Sequence, residues 1–133
     1  MRENTLFGLN HLPTTTKKTP LTILFVGDLT GWQTLGKSLP NVQHGHFCDY
    51  EELTQAYLWR ISPDIVLSPL FGPTFDAVSL GQLLMDLGFD GVYRAVTQPV
   101  PNPRLIVNEV LNQAAGLDFD LFFLDLVDFQ VLS

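Results

Sequence analysis

The residues best suited to chemistry are polar side chains at the ends of apolar segments. Asp28 and Thr30 lie in the glycine-flanked turn 27–31, and Ser68 and Thr97 end two later apolar segments. Backbone N–H groups at a helix start bind anionic groups well, so these residues predict a weak site for a small polar or anionic ligand. We favour the simpler interpretation that Asp28 or Thr30 caps a helix, which is a common role for these residue types, and keep ligand binding as the alternative.

Arg94 stands inside an apolar segment, three residues before Thr97. It could neutralise an anionic ligand at the same site. However, a charged side chain in such a segment is usually paired with an opposite charge. We therefore favour a structural ion pair of Arg94 with Asp28, Asp118 or Asp120, and keep ligand binding as the alternative.

The metal- and cofactor-binding patterns are weak. His44, His46 and Cys48 alternate along one segment, so in a strand their side chains could share a face and offer ligands to zinc. No fourth ligand is evident, and residues two apart on a strand lie about 7 Å apart, too far for a nucleophilic Cys–His pair. The glycines of segment 27–36 lack the G-x-G-x-x-G spacing of dinucleotide sites. We expect neither a metal nor another cofactor.

The charge balance excludes several classes of partner. The chain of 133 residues has 14 acidic residues against 7 lysines and arginines, a net charge of −7, and its one basic cluster is Lys17-Lys18. Binding to nucleic acid or to an anionic membrane needs a basic surface, so we expect neither. The single cysteine, Cys48, and the lack of a signal-peptide pattern predict a cytoplasmic protein.

Five apolar segments alternate with helical patterns, which predicts βαβ units and a parallel sheet. Residues 1–20 are polar and form an arm, whereas residues 21–133 form a single α/β domain. The predicted strands are 21–26, 42–47, 63–68, 91–96 and 118–124. The predicted helices lie within 30–39, 49–60, 76–88 and 102–116.

Capping residues set three of these helix starts. Asp49, three residues before Glu52, predicts a capping box, and Asp76 precedes an apolar stripe that ends at Gly88. Asn102 as the cap and Pro103 at the first helical position give the clearest start in the chain. The prolines of segment 98–103 stiffen the preceding loop, which is either a preformed recognition loop or a connector.

The segment Pro63–Asp76 resembles the receiver domains of bacterial response regulators. Those domains have a P-D-(apolar)3 strand, then the aspartate that accepts phosphate, then a loop to which Pro73 and Asp76 correspond. The resemblance implies a flavodoxin-like fold, a doubly wound three-layer sandwich with a five-stranded parallel sheet in the order 2-1-3-4-5. Pro69 occupies the position of the phosphate-accepting aspartate, and proline has no carboxylate to phosphorylate.

Other receiver positions are partly kept. Asp28 matches one acid of the pair that holds magnesium, and Thr97 matches the hydroxyl residue that ends the fourth strand. Phe123 falls near the position of the expected lysine. The resemblance thus implies a non-catalytic module that acts through protein–protein contacts, and we lean against an enzyme. The alternative is a small-molecule-binding or enzymatic domain that uses the Asp28/Thr97 edge.

The C-terminal segment predicts self-association. Nine residues follow Leu124, too few for the fifth helix of a receiver-like domain, and their alternation is typical of a strand. The fifth helix is therefore missing or replaced by a C-terminal strand, and one sheet face needs another cover. Either the N-terminal arm or a second subunit supplies it, and we favour a homodimer. The interface candidates are Val127, Phe129 and Val131, and the candidate anchors of the arm are Leu6, Phe7 and Leu12.

Overall fold

A five-stranded, all-parallel sheet in the order β2-β1-β3-β4-β5 forms the centre of the protein. The computed structural model describes residues 21–27, 32, 45–72 and 74–123. The strands are β1 (Ile23–Val26), β2 (Gly45–Cys48), β3 (Ile65–Pro69), β4 (Val92–Thr97) and β5 (Asp118–Phe123). The described helices are α1 (Gln55–Ile61), α2 (Ala77–Asp86) and α3 (Pro103–Gln113). The predicted α/β sandwich with strand order 2-1-3-4-5 is confirmed.

The two faces of the sheet bury separate cores. All three described helices pack on one face, which we call the helical face, where residues such as Leu24, Leu80 and Tyr93 are fully buried. The opposite face carries a second core that includes Phe25, and Trp32, itself in helical conformation, packs against it. Each fully buried large apolar side chain stabilises the fold by roughly 1.5–3 kcal/mol.

The central strands are nearly continuous apolar runs because both of their faces are covered. All four residues of β1 and all five of β3 are buried. β3 extends one residue beyond the predicted end, to Pro69, which pairs with Val96. A proline is tolerated at a strand terminus, where the lost N–H interrupts little of the ladder.

The prediction of one helix from Asp49 onward is wrong, because a short turn precedes the helix. The Asp49 N–H donates to the Glu52 carboxylate over 2.8 Å, but this arrangement begins a 3-10 turn of residues 50–52. At Leu53 the chain becomes extended and the side chain is buried in the core. Burial of Leu53 thus separates the turn from α1, whose N-cap is Thr54.

The other two helix starts differ in how they are capped. The Asp76 carboxylate accepts from the backbone N–H of Ser79 over 2.9 Å, as the sequence predicts for α2, and Gly88 follows with φ +85°. α3 begins at Pro103 as predicted, but the Asn102 side chain makes no cap hydrogen bond, which corrects our expectation. The Asn102 backbone, at φ −130° and ψ 73°, departs from the usual N-cap conformation, so the start of α3 relies on the proline.

Several predicted features lie outside the described residues. They are the arm 1–20, Asp28, Thr30, His44, Pro73 and the C-terminal segment with Leu124, Val127, Phe129 and Val131. The segment predicted to replace the fifth helix also lies outside the described residues. Within the described part of the chain, no helix is long and apolar enough to cross a membrane.

Candidate functional site at the carboxyl edge of the sheet

The order of the strands reverses between β1 and β3, and this is where open α/β sheets bind ligands. The strand ends are tied together there. The Gly27 N–H donates to the Cys48 carbonyl over 2.9 Å, and the Leu70 N–H donates to the Val96 carbonyl over 2.9 Å. The carboxyl edge is therefore a well-defined surface of the fold.

Apolar groups fill the switch point itself. Gly27 has φ +136°, and a Cβ atom placed on it would lie 3.1 Å from Pro69 Cδ and 3.2 Å from Trp32 Nε1. Pro69 is fully buried, as is its neighbour Ser68. The last residue of β3 is thus a proline whose ring is held against a glycine and an indole.

Trp32 is a residue that the sequence analysis missed. Its ring packs edge-on to Phe25 with centroids 5.6 Å apart, and the side chain is 4% exposed. In the described part of the protein, its Nε1 is buried without a hydrogen-bond partner. An unsatisfied buried donor of this kind costs about 1–3 kcal/mol. A single tryptophan in the predicted helix 30–39 carried no sequence signal that it would reach the switch point.

Ser68, a predicted ligand residue, faces the core. Its Oγ lies 2.7 Å from the Tyr93 hydroxyl and 2.9 Å from the Pro69 carbonyl oxygen, to which it donates. The Tyr93 hydroxyl then donates to Ser68 Oγ, since the serine has a single proton. Burial raises the pKa of Tyr93 well above its usual range. The Ser68 hydroxyl is therefore occupied within the helical face and turned away from the edge.

Thr97 does lie at the edge, as the last residue of β4. Its side chain is buried, and its Oγ1 donates to the Gln98 carbonyl over 2.9 Å. Thr97 belongs to the same alternating set as Tyr93, so it shares the helical face with Ser68. The structure thus brings Ser68 and Thr97 to the same face of the sheet. Each of the two hydroxyl groups donates its proton to a backbone carbonyl oxygen.

Arg94 lies on the other face of β4 and forms an ion pair. Its Nη1 donates to the Asp118 carboxylate over 3.2 Å and to the Asp118 carbonyl over 3.0 Å, while a third bond reaches the Tyr93 carbonyl at 3.0 Å. This is the structural pairing that the sequence favoured, with Asp118 as the partner. Arg94 is therefore separated from Ser68 and Thr97 by the sheet.

Cys48 is buried in the helical-face core. Burial, with the nearby Glu52 and Asp49 carboxylates, raises the pKa of its thiol to about 12. Such a thiol stays protonated at neutral pH and is a poor nucleophile. His46 is half-buried, and within the described residues no group of three histidine, cysteine or acidic side chains is placed to hold a metal ion.

Exposed apolar side chains are the second feature of this edge that the sequence did not indicate. Phe71 is 66% exposed in the loop after β3, Leu105 is 65% exposed in the first turn of α3, and Phe123 is 43% exposed at the end of β5. Phe71 lies in a loop and follows no period, whereas Phe123 continues the alternation of the buried Phe119 and Leu121 and is exposed nonetheless at the end of its strand.

Comparisons of the sequence with known protein families and with curated proteins find no match. The fold is thus established by the sheet and its strand order. A fold of this kind hosts many functions, so the function has to be argued from the side chains at the carboxyl edge.

Proposed function

We propose that this protein is a non-catalytic, receiver-like module that acts through protein–protein contacts and forms a homodimer. The observation that carries the proposal is the buried Pro69 at the end of β3, packed against Gly27 and Trp32. Phosphate transfer in receivers needs an exposed aspartate carboxylate at that position. Pro69 has no carboxylate, and the neighbouring Ser68 hydroxyl is buried in a hydrogen bond.

Low charge content and exposed aromatic side chains support the assembly role. Charged residues make up 16% of the chain, against about 25% in typical soluble proteins. A subunit interface hides uncharged surface and is enriched in aromatic residues. The exposed Phe71 and Phe123 are of this type.

Incubation with acetyl phosphate and magnesium, followed by intact-mass spectrometry, tests the absence of phosphate transfer. We expect no added phosphate, while an active receiver treated in parallel gains one. A hydroxylamine-labile phosphate on any aspartate of the carboxyl edge would contradict the proposal.

One observation favours a second candidate, a small-molecule-binding domain at the same edge. The Nε1 of Trp32 is buried at the switch point beside Gly27, and among the described residues it has no hydrogen-bond partner. A ligand oxygen there could accept from the indole. In the Trp59→Phe variant, Trp32 is the one remaining tryptophan, so its fluorescence reports on the switch point. A saturable change with acetate or phosphate, abolished by Gly27→Ala in a folded variant, would favour this candidate, and no change would favour the assembly module.

A further inference from the structure

Among the described strands, β5 is the outermost at its side of the sheet, so part of its backbone faces no other described strand. The bonds between β3 and β4 show which part. The Leu70 N–H donates to the Val96 carbonyl over 2.9 Å. At the other end of β4, the Val92 N–H donates to the Asp64 carbonyl over 3.1 Å. The backbone groups of the even-numbered residues of β4 therefore face β3, and those of the odd-numbered residues face β5.

The register between β4 and β5 then shows which backbone groups of β5 point outward. Tyr93 lies opposite Phe119. In a parallel pair, a residue bonds through its N–H and C=O groups to the two residues that flank its partner, so the backbone groups of Phe119 itself point away from β4. Because this direction alternates along a strand, the N–H and C=O groups of Leu121 and Phe123 also point outward. We call this row of groups on Phe119, Leu121 and Phe123 the outer edge of β5.

Asp120 occupies the middle of the outer edge. The Leu121 N–H donates to the Asp120 carboxylate over 2.8 Å, although both residues belong to the same strand. Asp120 is exposed, whereas the other aspartate of β5, Asp118, is paired with Arg94. Charged side chains on an edge strand are a common means of preventing it from pairing with another chain. Asp120 thus combines a charge with a hydrogen bond to a group that an added strand would need.

The remaining residues of β5 favour pairing with another strand. They are three phenylalanines and a leucine, which are apolar and include strong strand formers. A second copy has the same edge, and a two-fold axis perpendicular to the sheet would place two β5 strands side by side in antiparallel orientation. The two Asp120 carboxylates would then lie on the same face of the continued sheet, where like charges repel each other.

From these bonds and charges we infer that the outer edge of β5 is a strand-pairing surface for a second copy of this chain, and that Asp120 prevents the pairing. Its carboxylate holds the Leu121 N–H that an incoming strand needs, and its charge repels the same residue of the second copy. This pairing is separate from the proposed homodimer, whose interface candidates Val127, Phe129 and Val131 follow β5 in the chain.

Asp120→Ala tests the inference in the full chain. The substitution removes both the acceptor and the charge, so half-association should occur at a concentration about tenfold or more below that of the unmodified protein. Asp90→Ala is the matched control, because it removes one exposed carboxylate between α2 and β4 and should leave association unchanged. Sedimentation velocity over a concentration series measures both variants. Equal association of Asp120→Ala and Asp90→Ala would overturn the inference.

A proline at position 123 separates pairing along β5 from association elsewhere. The outward N–H of Phe123 takes no part in the ladder with β4, so Phe123→Pro should keep the fold, which circular dichroism checks, and should block an incoming strand. In this background Asp120→Ala should no longer change association. A gain in association that persists in Asp120→Ala/Phe123→Pro would locate the contact outside β5 and contradict the inference.

Amide hydrogen exchange, followed residue by residue, identifies the backbone groups that are covered. In Asp120→Ala, the N–H groups of Phe119 and Leu121 should gain protection as the concentration rises, because they bond to the second copy. The N–H of Phe122 faces β4 and should show no such change. Protection gained only in other segments would refute pairing through β5. An unmodified protein that is monomeric, together with an Asp120→Ala variant that pairs through these groups, would remove the homodimer and retain this surface.

Discussion

At the scale of single residues, the fold depends on how Gly27 and Pro69 meet where β1 and β3 end. The bare glycine lets the proline ring and the Trp32 indole close over the strand ends. A carboxylate in place of Pro69 would be buried there, and burying an unpaired charge is costly. The packing of Pro69 against Gly27 and Trp32 thus stabilises the centre of the edge.

Gly27→Ala tests this packing. The new Cβ would meet Pro69 and Trp32 at 3.1–3.2 Å, on a backbone with φ +136°. We expect a loss of at least about 2 kcal/mol in the free energy of unfolding. Gly88→Ala is the control, because Gly88 also has positive φ, at +85°, but nothing within 4 Å of its Cβ position, so about 1 kcal/mol should be lost. Equal losses in urea unfolding would refute close packing at Gly27.

Cys48 makes stability depend on pH. Its thiol has a model-compound pKa of 9.0, which burial raises to about 12 in the folded protein. A raised pKa stabilises the fold fully below pH 9.0, and this contribution is lost as the pH rises toward about 12. The free energy of unfolding should therefore fall with pH over this window, and Cys48→Ala should flatten the fall. An identical slope in both proteins would show that the thiol is not buried.

At the scale of elements, the helix starts show what a sequence pattern can and cannot specify. Asp76 and Asn102 both precede helices and both have cap-forming side chains. Asp76 accepts the backbone N–H of Ser79, whereas the Asn102 side chain makes no such bond. The difference comes from the backbone before each helix, which the residue types alone do not reveal.

Asp76→Ala should destabilise the protein by about 1 kcal/mol, because α2 loses its N-terminal hydrogen bond. Asn102→Ala should cost almost nothing, since no cap bond exists to be lost. Chemical denaturation of both variants measures the two changes. A larger loss for Asn102→Ala than for Asp76→Ala would reverse the assignment.

The central strands β1 and β3 could be predicted well because every residue in them is buried. The apolar runs that end near Val26 and Ser68 have almost no polar side chain to expose to solvent, which favours a position in the centre of the sheet. The break at Leu53 and the position of Trp32 depend on contacts between distant segments, which local patterns do not encode. For the candidate site, the Arg94 ion pair was predictable as a buried charge that needs a partner, whereas the Ser68–Tyr93 bond across neighbouring strands was not.

At the scale of the whole molecule, we propose that the protein acts by associating with other protein chains, and two observations support this. The described residues are strongly acidic, which disfavours nucleic acid, and apolar side chains such as Phe71 and Phe123 are exposed near the carboxyl ends of the strands. We therefore expect the protein to associate as a homodimer.

Sedimentation equilibrium of the full chain at micromolar concentration tests the assembly claim most directly. We predict a species of twice the chain mass of 14.9 kDa, in reversible exchange with monomer. Phe129→Asp should weaken it, because a carboxylate would be buried in the interface without a partner. A monomer of 14.9 kDa at every concentration would contradict the homodimer.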